Sequence, residues 1–214
     1  MKRILFSSFV IGVVALASTA FKPATPSATD VDNTLEVFAD APSKWTIDKA
    51  HSNVKFTVTH LVVSDVDGSF KIFDGSMEHT KADYSDAKIS FTVDVASVNT
   101  DNDMRDKHLK SDDFFNAEKF PAMKFQSTSF TPLGGNKYKL AGNLTIRDVT
   151  KPVVFETTYG GTVNTMGKTK AGFKAKTTIN RFDYNLKWDK ATEAGGLVVG
   201  KDVELVVNVE LNKA

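Results

Sequence analysis

Arg105 and His108 stand three residues apart in a stretch, residues 104–121, that carries an Arg, a His, three Lys, four acidic residues and three Phe in eighteen positions. On a helix, residues three apart share a face, so this pair is suited to holding an anionic or polar group, unless Arg105 instead pairs with a nearby acid. The remaining histidines are His51, His60 and His79. His60 continues the apolar positions Val54, Phe56 and Val58, so it either points inward at a strand end or is a core histidine bonded to a backbone carbonyl. None of the four histidines has HxH or HExxH spacing, so no metal centre is expected. Nucleophilic catalysis lacks a GxSxG elbow, and there is no phosphate loop or dinucleotide fingerprint. The paired carboxylates Asp112-Asp113 and Asp65/Asp67, with Asp183, read as caps and turn formers. These absences favour a binder that needs no cofactor. The enzymatic alternative is a His-dependent hydrolase or isomerase with His60 or His108 as general base beside Asp106 or Asp113.

The elements that would position these groups are strands. Apolar residues recur with period two at Val54, Phe56, Val58, at Ala87, Ile89, Phe91, Val93, Val95, and at Val203, Leu205, Val207, Val209, Leu211. Further strands are expected over 68–73, 123–130, 138–146, 153–159 and 170–179. Turns are expected at Gly134-Gly135-Asn136, Gly160-Gly161 and Gly195-Gly196. Eight sequential strands with short connections predict an all-β antiparallel meander, because parallel pairing needs long crossovers. With sixteen Phe in the chain, an eight-stranded barrel is preferred to a sandwich. Its interior is either packed core or room for one apolar ligand. Residues 99–103 supply caps and first-turn acids, and Lys107, His108 and Lys110 suit a helix C-terminus. A short helical flap is therefore expected between the third and fourth strands, with Ser111 capping a second turn. Arg181, flanked by aromatics, is read as a latch that stacks on Phe182 or Trp188 or bridges backbone carbonyls. Trp45 is read as a plug at one end.

Lys2 and Arg3, an apolar run over 4–17 and Ser18-Thr19-Ala20 have the form of a secretory signal peptide over residues 1–20. The run is shorter than the ~20 residues a spanning helix needs, so no stable membrane span is expected after cleavage. Residues 21–43 read as a flexible leader, and 44–214 as one domain. Without residues 1–20 the chain has 25 basic and 26 acidic side chains, which disfavours nucleic acid as a partner. The chain has no Cys, which excludes disulfide staples and thiolate chemistry. A periplasmic or secreted location is expected, and the sequence admits a homodimer.

Three blocks give the chain a resemblance to the YceI-like family. The first is Trp45-Thr46-Ile47-Asp48 with His51-Ser52 and Phe56-Thr57-Val58-Thr59-His60-Leu61. The second is Val66-Asp67-Gly68-Ser69-Phe70 with Phe73-Asp74-Gly75. The third is Arg105-Asp106-Lys107-His108-Leu109-Lys110-Ser111 with Asp113-Phe114-Phe115 and Phe120-Pro121. Gly142-Asn143-Leu144-Thr145-Ile146, Asn180-Arg181-Phe182-Asp183-Tyr184 and Val199-Gly200-Lys201-Asp202-Val203 agree. The resemblance implies a lipocalin-like barrel holding a polyisoprenoid or other long-chain lipid, by binding and carriage rather than reaction. On that basis Phe56, Val58, Phe91, Val93, Phe125, Phe155 and Phe173 are expected to line the lumen, with His60, Arg105 and His108 near its mouth. The remaining alternative is a structural or stress-response envelope module with a filled core.

Overall fold

The computed structural model describes residues 41–192 and 196–214. The expected signal peptide over 1–20 and all but the end of the expected leader lie outside the described residues, as does Gly195 of the expected Gly195-Gly196 turn. Eleven strands occur in the described part: β1 (Ser43–Ile47), β2 (Asn53–His60), β3 (Ser64–Phe70), β4 (Phe73–His79), β5 (Lys88–Asp94), β6 (Val98–Asn99), β7 (Ala122–Gly134), β8 (Lys137–Ile146), β9 (Val149–Thr165), β10 (Lys168–Asn180) and β11 (Val199–Lys213). One α-helix, α1 (Asp103–Lys110), interrupts them between β6 and β7, and single 3-10 turns occur at Val95–Ser97 and Arg181–Tyr184.

These strands make an eight-position closed barrel, because three pairs of strands, β1/β2, β3/β4 and β5/β6, each share one position. β1 and β2 both pair antiparallel with β11, Ile47 opposite Leu211 and Val54 opposite Val207. β3 pairs with β2 and β4 with β1, so 64–79 is one path bent at residues 71–72. From β4 the ring continues through β5, β7, β8, β9 and β10 to β11 and back to β1. The expected strand over 68–73 therefore crosses the bend, and the real pairing extends on both sides of it. Strand pairing also begins at Ser43, inside the expected leader.

Local chemistry explains most of these paths. Gly134 and Gly135 take positive φ (99° and 57°) and turn the chain between β7 and β8, as expected. The expected turn at Gly160-Gly161 is instead a bulge inside β9, where the register against β10 slips beside Gly172. The real turn is Met166-Gly167, also at positive φ. Asp65 and Asp67 are not turn formers but strand residues, accepting hydrogen bonds from Thr59 at 3.0 Å and Thr57 at 2.6 Å on β2. Asn102 caps α1 by accepting from the Arg105 N–H at 3.0 Å. Ser111 does not cap a second turn; its hydroxyl donates back to the His108 carbonyl at 2.7 Å and ends the helix.

At the end of the barrel away from α1, Trp45 is 4 % exposed, stacks on His79 and donates from Nε1 to His79 Nε2 at 2.9 Å. Near it Lys170 on β10 ties β11 to the segment that follows β1, its ammonium lying 2.8 Å from Asp48 Oδ2 and 2.5 Å from Glu210 Oε1. His51 Nδ1 is 3.1 Å from the same Asp48 oxygen. Asp48, His51 and Glu210 thus gather three ligand-type atoms within 4.8 Å of one another, with the ammonium supplying the cation between the carboxylates. Hydrogen bonds from Lys170 and His51 hold the Asp48 carboxyl well below the usual carboxylate range. A depressed folded pKa stabilises fully above the unfolded value of about 4, and that stabilisation is lost as pH falls through the folded value. Asp48→Asn should therefore lower the Tm at pH 7 and flatten its fall below about pH 4. Parallel Tm profiles for variant and wild type between neutral and acid pH would contradict this.

Candidate binding cavity

The inner face of the barrel does not fill it. A cavity of about 210 Å³ runs inside, lined almost wholly by apolar groups. On β11 its wall extends from Val199 to Leu211, about 40 Å of strand at ~3.3 Å per residue and roughly 30 Å along the axis at ordinary strand tilts. The cavity is thus long and narrow. Phe56, Val58, Phe91, Val93, Phe125, Phe155 and Phe173 all lie on this wall.

Glycines opposite the rings help to keep the lumen open. Phe56 is paired with Gly68 on β3, and its ring lies where a Cβ on Gly68 would be, with atoms at 2.2 to 2.8 Å from that point. Phe125 covers Gly142 on β8 in the same way, at 2.4 Å. Each ring is laid flat against the wall, which a larger residue opposite would prevent. Glycine inside an alternating strand is the sequence signal for this close approach.

One end is floored by aromatics. Phe130 stacks on Tyr138 at 4.6 Å, and Tyr84 meets Phe173 edge-on at 5.6 Å. Burial raises the Tyr84 and Tyr138 hydroxyl pKa values. The other end is covered by α1 and the turns after it, from which Leu109, Phe114 and Phe115 reach the cavity. Phe114, His108 and Trp188 form a mutual cluster with centroids 5.1 to 5.5 Å apart.

The polar residues of this lid hold it in place. Arg105 is exposed and donates from Nε to Thr100 Oγ1 and from Nη2 to the Thr100 carbonyl, each at 2.7 Å. Asp106 is buried and accepts from the Thr100 N–H at 2.8 Å and hydroxyl at 2.6 Å. His108 Nε2 lies 2.7 Å from Asp113 Oδ2. His60 sits half-buried at the rim, opposite Ser64 and Val199. His60, Arg105 and His108, expected near the mouth, stand at this end of the barrel but are not among the residues lining the cavity; the oxygens of Thr100 engage Arg105 and the Asp113 carboxylate engages His108.

Two further arginines fasten this end of the barrel through backbone carbonyls. Arg147, in the turn between β8 and β9, donates from Nη1 to the carbonyls of Asp112, Phe114 and Asn185 at 2.7 to 3.2 Å, and from Nη2 to Asp112 Oδ1 at 3.1 Å. An Arg-Asp turn looks like any exposed hairpin, so nothing in the sequence marks it. Arg181 is 3 % exposed and both expected latch geometries occur together: its guanidinium lies 4.3 Å from the Phe182 ring centroid and donates to four carbonyls. These are Gly200 at 2.8 Å, Leu186 at 2.6 Å, Trp188 at 2.8 Å and Val199 at 2.9 Å. Burial pushes its pKa down, opposed by the charge of Asp189. Among the described residues of the wall, Thr157 alone combines near-complete burial with an unpaired hydroxyl, a state that costs about 1–3 kcal/mol.

This arrangement defines a class: closed antiparallel barrels whose interior is an apolar cavity under a lid. The chain belongs to the YceI-like family, whose domain matches residues 45–211. A UPF0312 protein of Staphylococcus aureus (strain bovine RF122 / ET3-1) is 38% identical over 172 residues, covering 79% of this chain and 98% of the relative. The crystal structure of the Campylobacter jejuni YceI protein is 35% identical with a TM-score of 0.64, covering 79% of this chain and 97% of that one. A polyisoprenoid-binding domain from Saccharophagus degradans shares the fold at 14% identity and a TM-score of 0.58, over 79% of this chain and 98% of its own. Among the described residues no helix is long and apolar enough to cross a membrane.

Replacing Arg181 by Met would strip four carbonyls of their donor, with an expected loss of about 3–5 kcal/mol at roughly 1 kcal/mol per stranded acceptor, and Lys should not restore it because it lacks the planar fork. Urea denaturation measures this; a loss below about 1 kcal/mol would contradict the latch.

Proposed function

We propose that the protein binds one long apolar lipid of the polyisoprenoid type in the barrel cavity, for carriage or sequestration outside the cytoplasm, without transforming it. The observation that carries this reading is the shape and chemistry of the cavity: about 30 Å long by strand geometry, narrow, and walled by Phe, Val, Leu and Ile. Such a space fits an extended hydrocarbon chain better than a compact polar metabolite. Burying ~300 Å² of ligand apolar surface at ~25 cal/mol per Å² contributes ~7.5 kcal/mol gross, before the cost of ordering a flexible chain. The name of the Saccharophagus degradans domain supports the ligand class. The signal-peptide pattern over residues 1–20 supports export to the periplasm or medium. No cofactor is needed for this role, and a homodimer is compatible with it.

The His108–Asp113 contact of 2.7 Å has general-base geometry. Its place off the wall, edge-on to Phe114 and Trp188, favours a fastening role for the pair.

Native mass spectrometry of the purified protein, followed by organic extraction, should find a prenyl lipid bound at one per chain, and the delipidated protein should take up added prenyl lipid. A barrel that is always empty and takes up none would overturn the proposal.

A further inference from the structure

Residues 100–120 fill a notch in the barrel wall. β6 pairs with β3 only at Asn99 opposite Ser69 and Val98 opposite Phe70, and β7 begins its pairing with β5 at Ala122 opposite Asp94. Over Ser64 to Gly68 no described strand pairs with β3 on the side away from β2. The chain leaves the sheet at Asp101, which takes positive φ (58°), and rejoins it at Pro121, whose carbonyl accepts from the Val95 N–H at 2.9 Å. Between those points the segment satisfies itself. Arg105 and Asp106 bond to Thr100, His108 bonds to Asp113, and the N–H groups of Phe115 and Ala117 donate to the carbonyls of Leu109 and Lys110 at 3.0 and 2.9 Å. Its ties to the barrel are fewer. Phe115 meets Phe70 edge-on at 5.8 Å, and Phe114 lies 5.5 Å from Trp188. Among the described residues, every hydrogen bond from this segment to the rest of the barrel is made by Arg147, from Nη1 to the carbonyls of Asp112 and Phe114 and from Nη2 to Asp112 Oδ1. A body bonded to itself, and held to its surroundings by one guanidinium and apolar contacts, opens as a unit when that guanidinium lets go.

We propose that residues 100–120 are a gate that swings out of the wall as one body about Asp101 and Pro121, and that Arg147 is the clasp that sets how often it opens. The barrel stays closed in its hydrogen bonding while the gate moves, because β3, β6 and β7 keep their pairings on either side of the notch. Leu109, Phe114 and Phe115 leave the cavity with the gate, since all three reach it from this segment. The cavity is then entered from the side, between β3 and β7. The gate's purpose rests on the lipid-binding reading above, but its opening belongs to the empty protein and is measured there.

The chain has no Cys, so one introduced thiol reports opening without interference. Ile179 is 7 % exposed and lines the cavity at the lid end, so Ile179→Cys reacts when the gate opens. Ala171 is 1 % exposed and lies off the cavity wall, so Ala171→Cys reacts only when the barrel itself comes apart. The rate of each thiol with 4,4′-dithiodipyridine is measured on delipidated protein, with Arg147 intact and with Arg147→Met. The substitution should speed Ile179→Cys about tenfold, the scale of one charge-assisted hydrogen bond, and leave Ala171→Cys unchanged. Arg147→Lys, which keeps the charge without the planar fork, should give a smaller rise at Ile179→Cys alone. An unchanged rate at Ile179→Cys, or an equal rise at both thiols, overturns the gate; the equal rise makes Arg147 a fastener of the whole barrel. No lipid enters the measurement, so those results leave the lipid-binding reading standing. A barrel that takes up no lipid overturns that reading without touching the rates.

Discussion

Everything in this molecule depends on one constraint: the sheet has to close on β11. An open antiparallel sheet leaves unpaired backbone groups along its edges, and only full closure removes them. Here β11 accepts two partners along one edge, β2 over Asn53 to His60 and β1 over Trp45 to Ile47. The interruption at residues 48–52 is where Asp48 and His51 meet Lys170 and Glu210. At the opposite end Arg181 gathers the carbonyls of Val199 and Gly200 with those of Leu186 and Trp188. Polar clusters thus clasp β11 near both of its ends, and between them the strand carries an uninterrupted apolar face.

Closure at eight positions decides what the interior can be. A ring of that size leaves room that side chains either fill or share with one ligand. The choice is made by where the aromatics lie. Phe56 and Phe125 lie over Gly68 and Gly142, so their bulk goes into the wall. Phe91 and Phe155 pack along the wall against Phe73 and Phe125, and other aromatics gather at the floor around Tyr84, Tyr138 and Phe173, and under the lid at Phe114 and Trp188. What is left between them is the cavity.

The strand alternation makes the barrel legible in the sequence, because most inward positions are apolar and the Gly134-Gly135 turn carries its own chemistry. The wall residues from Phe56 to Phe173 followed from that alternation. Closer detail did not. The bend at Lys71-Ile72 and the bulge at Gly161 come from the curvature of a closed sheet, which a one-dimensional period does not encode. Arg105 and His108 were recognisable as important, yet their partners, Thr100 and Asp113, are a few residues away and are identified only by geometry. Arg147 contacts residues 33 to 38 positions distant, so its role lies in the tertiary fold alone. Thr157 reads as an ordinary strand threonine until its missing partner is seen.

The central claim is that the lumen is an occupied or occupiable channel and not a core. It is tested most directly by a high-resolution crystal structure of the protein purified from its own cells without delipidation. Continuous elongated density from beneath Phe114 and Leu186 to the floor at Phe173, with the rings of Phe56 and Phe125 flat against the wall, is the predicted result. A lumen filled by those same rings turned inward, with no room for a chain between them, would contradict it.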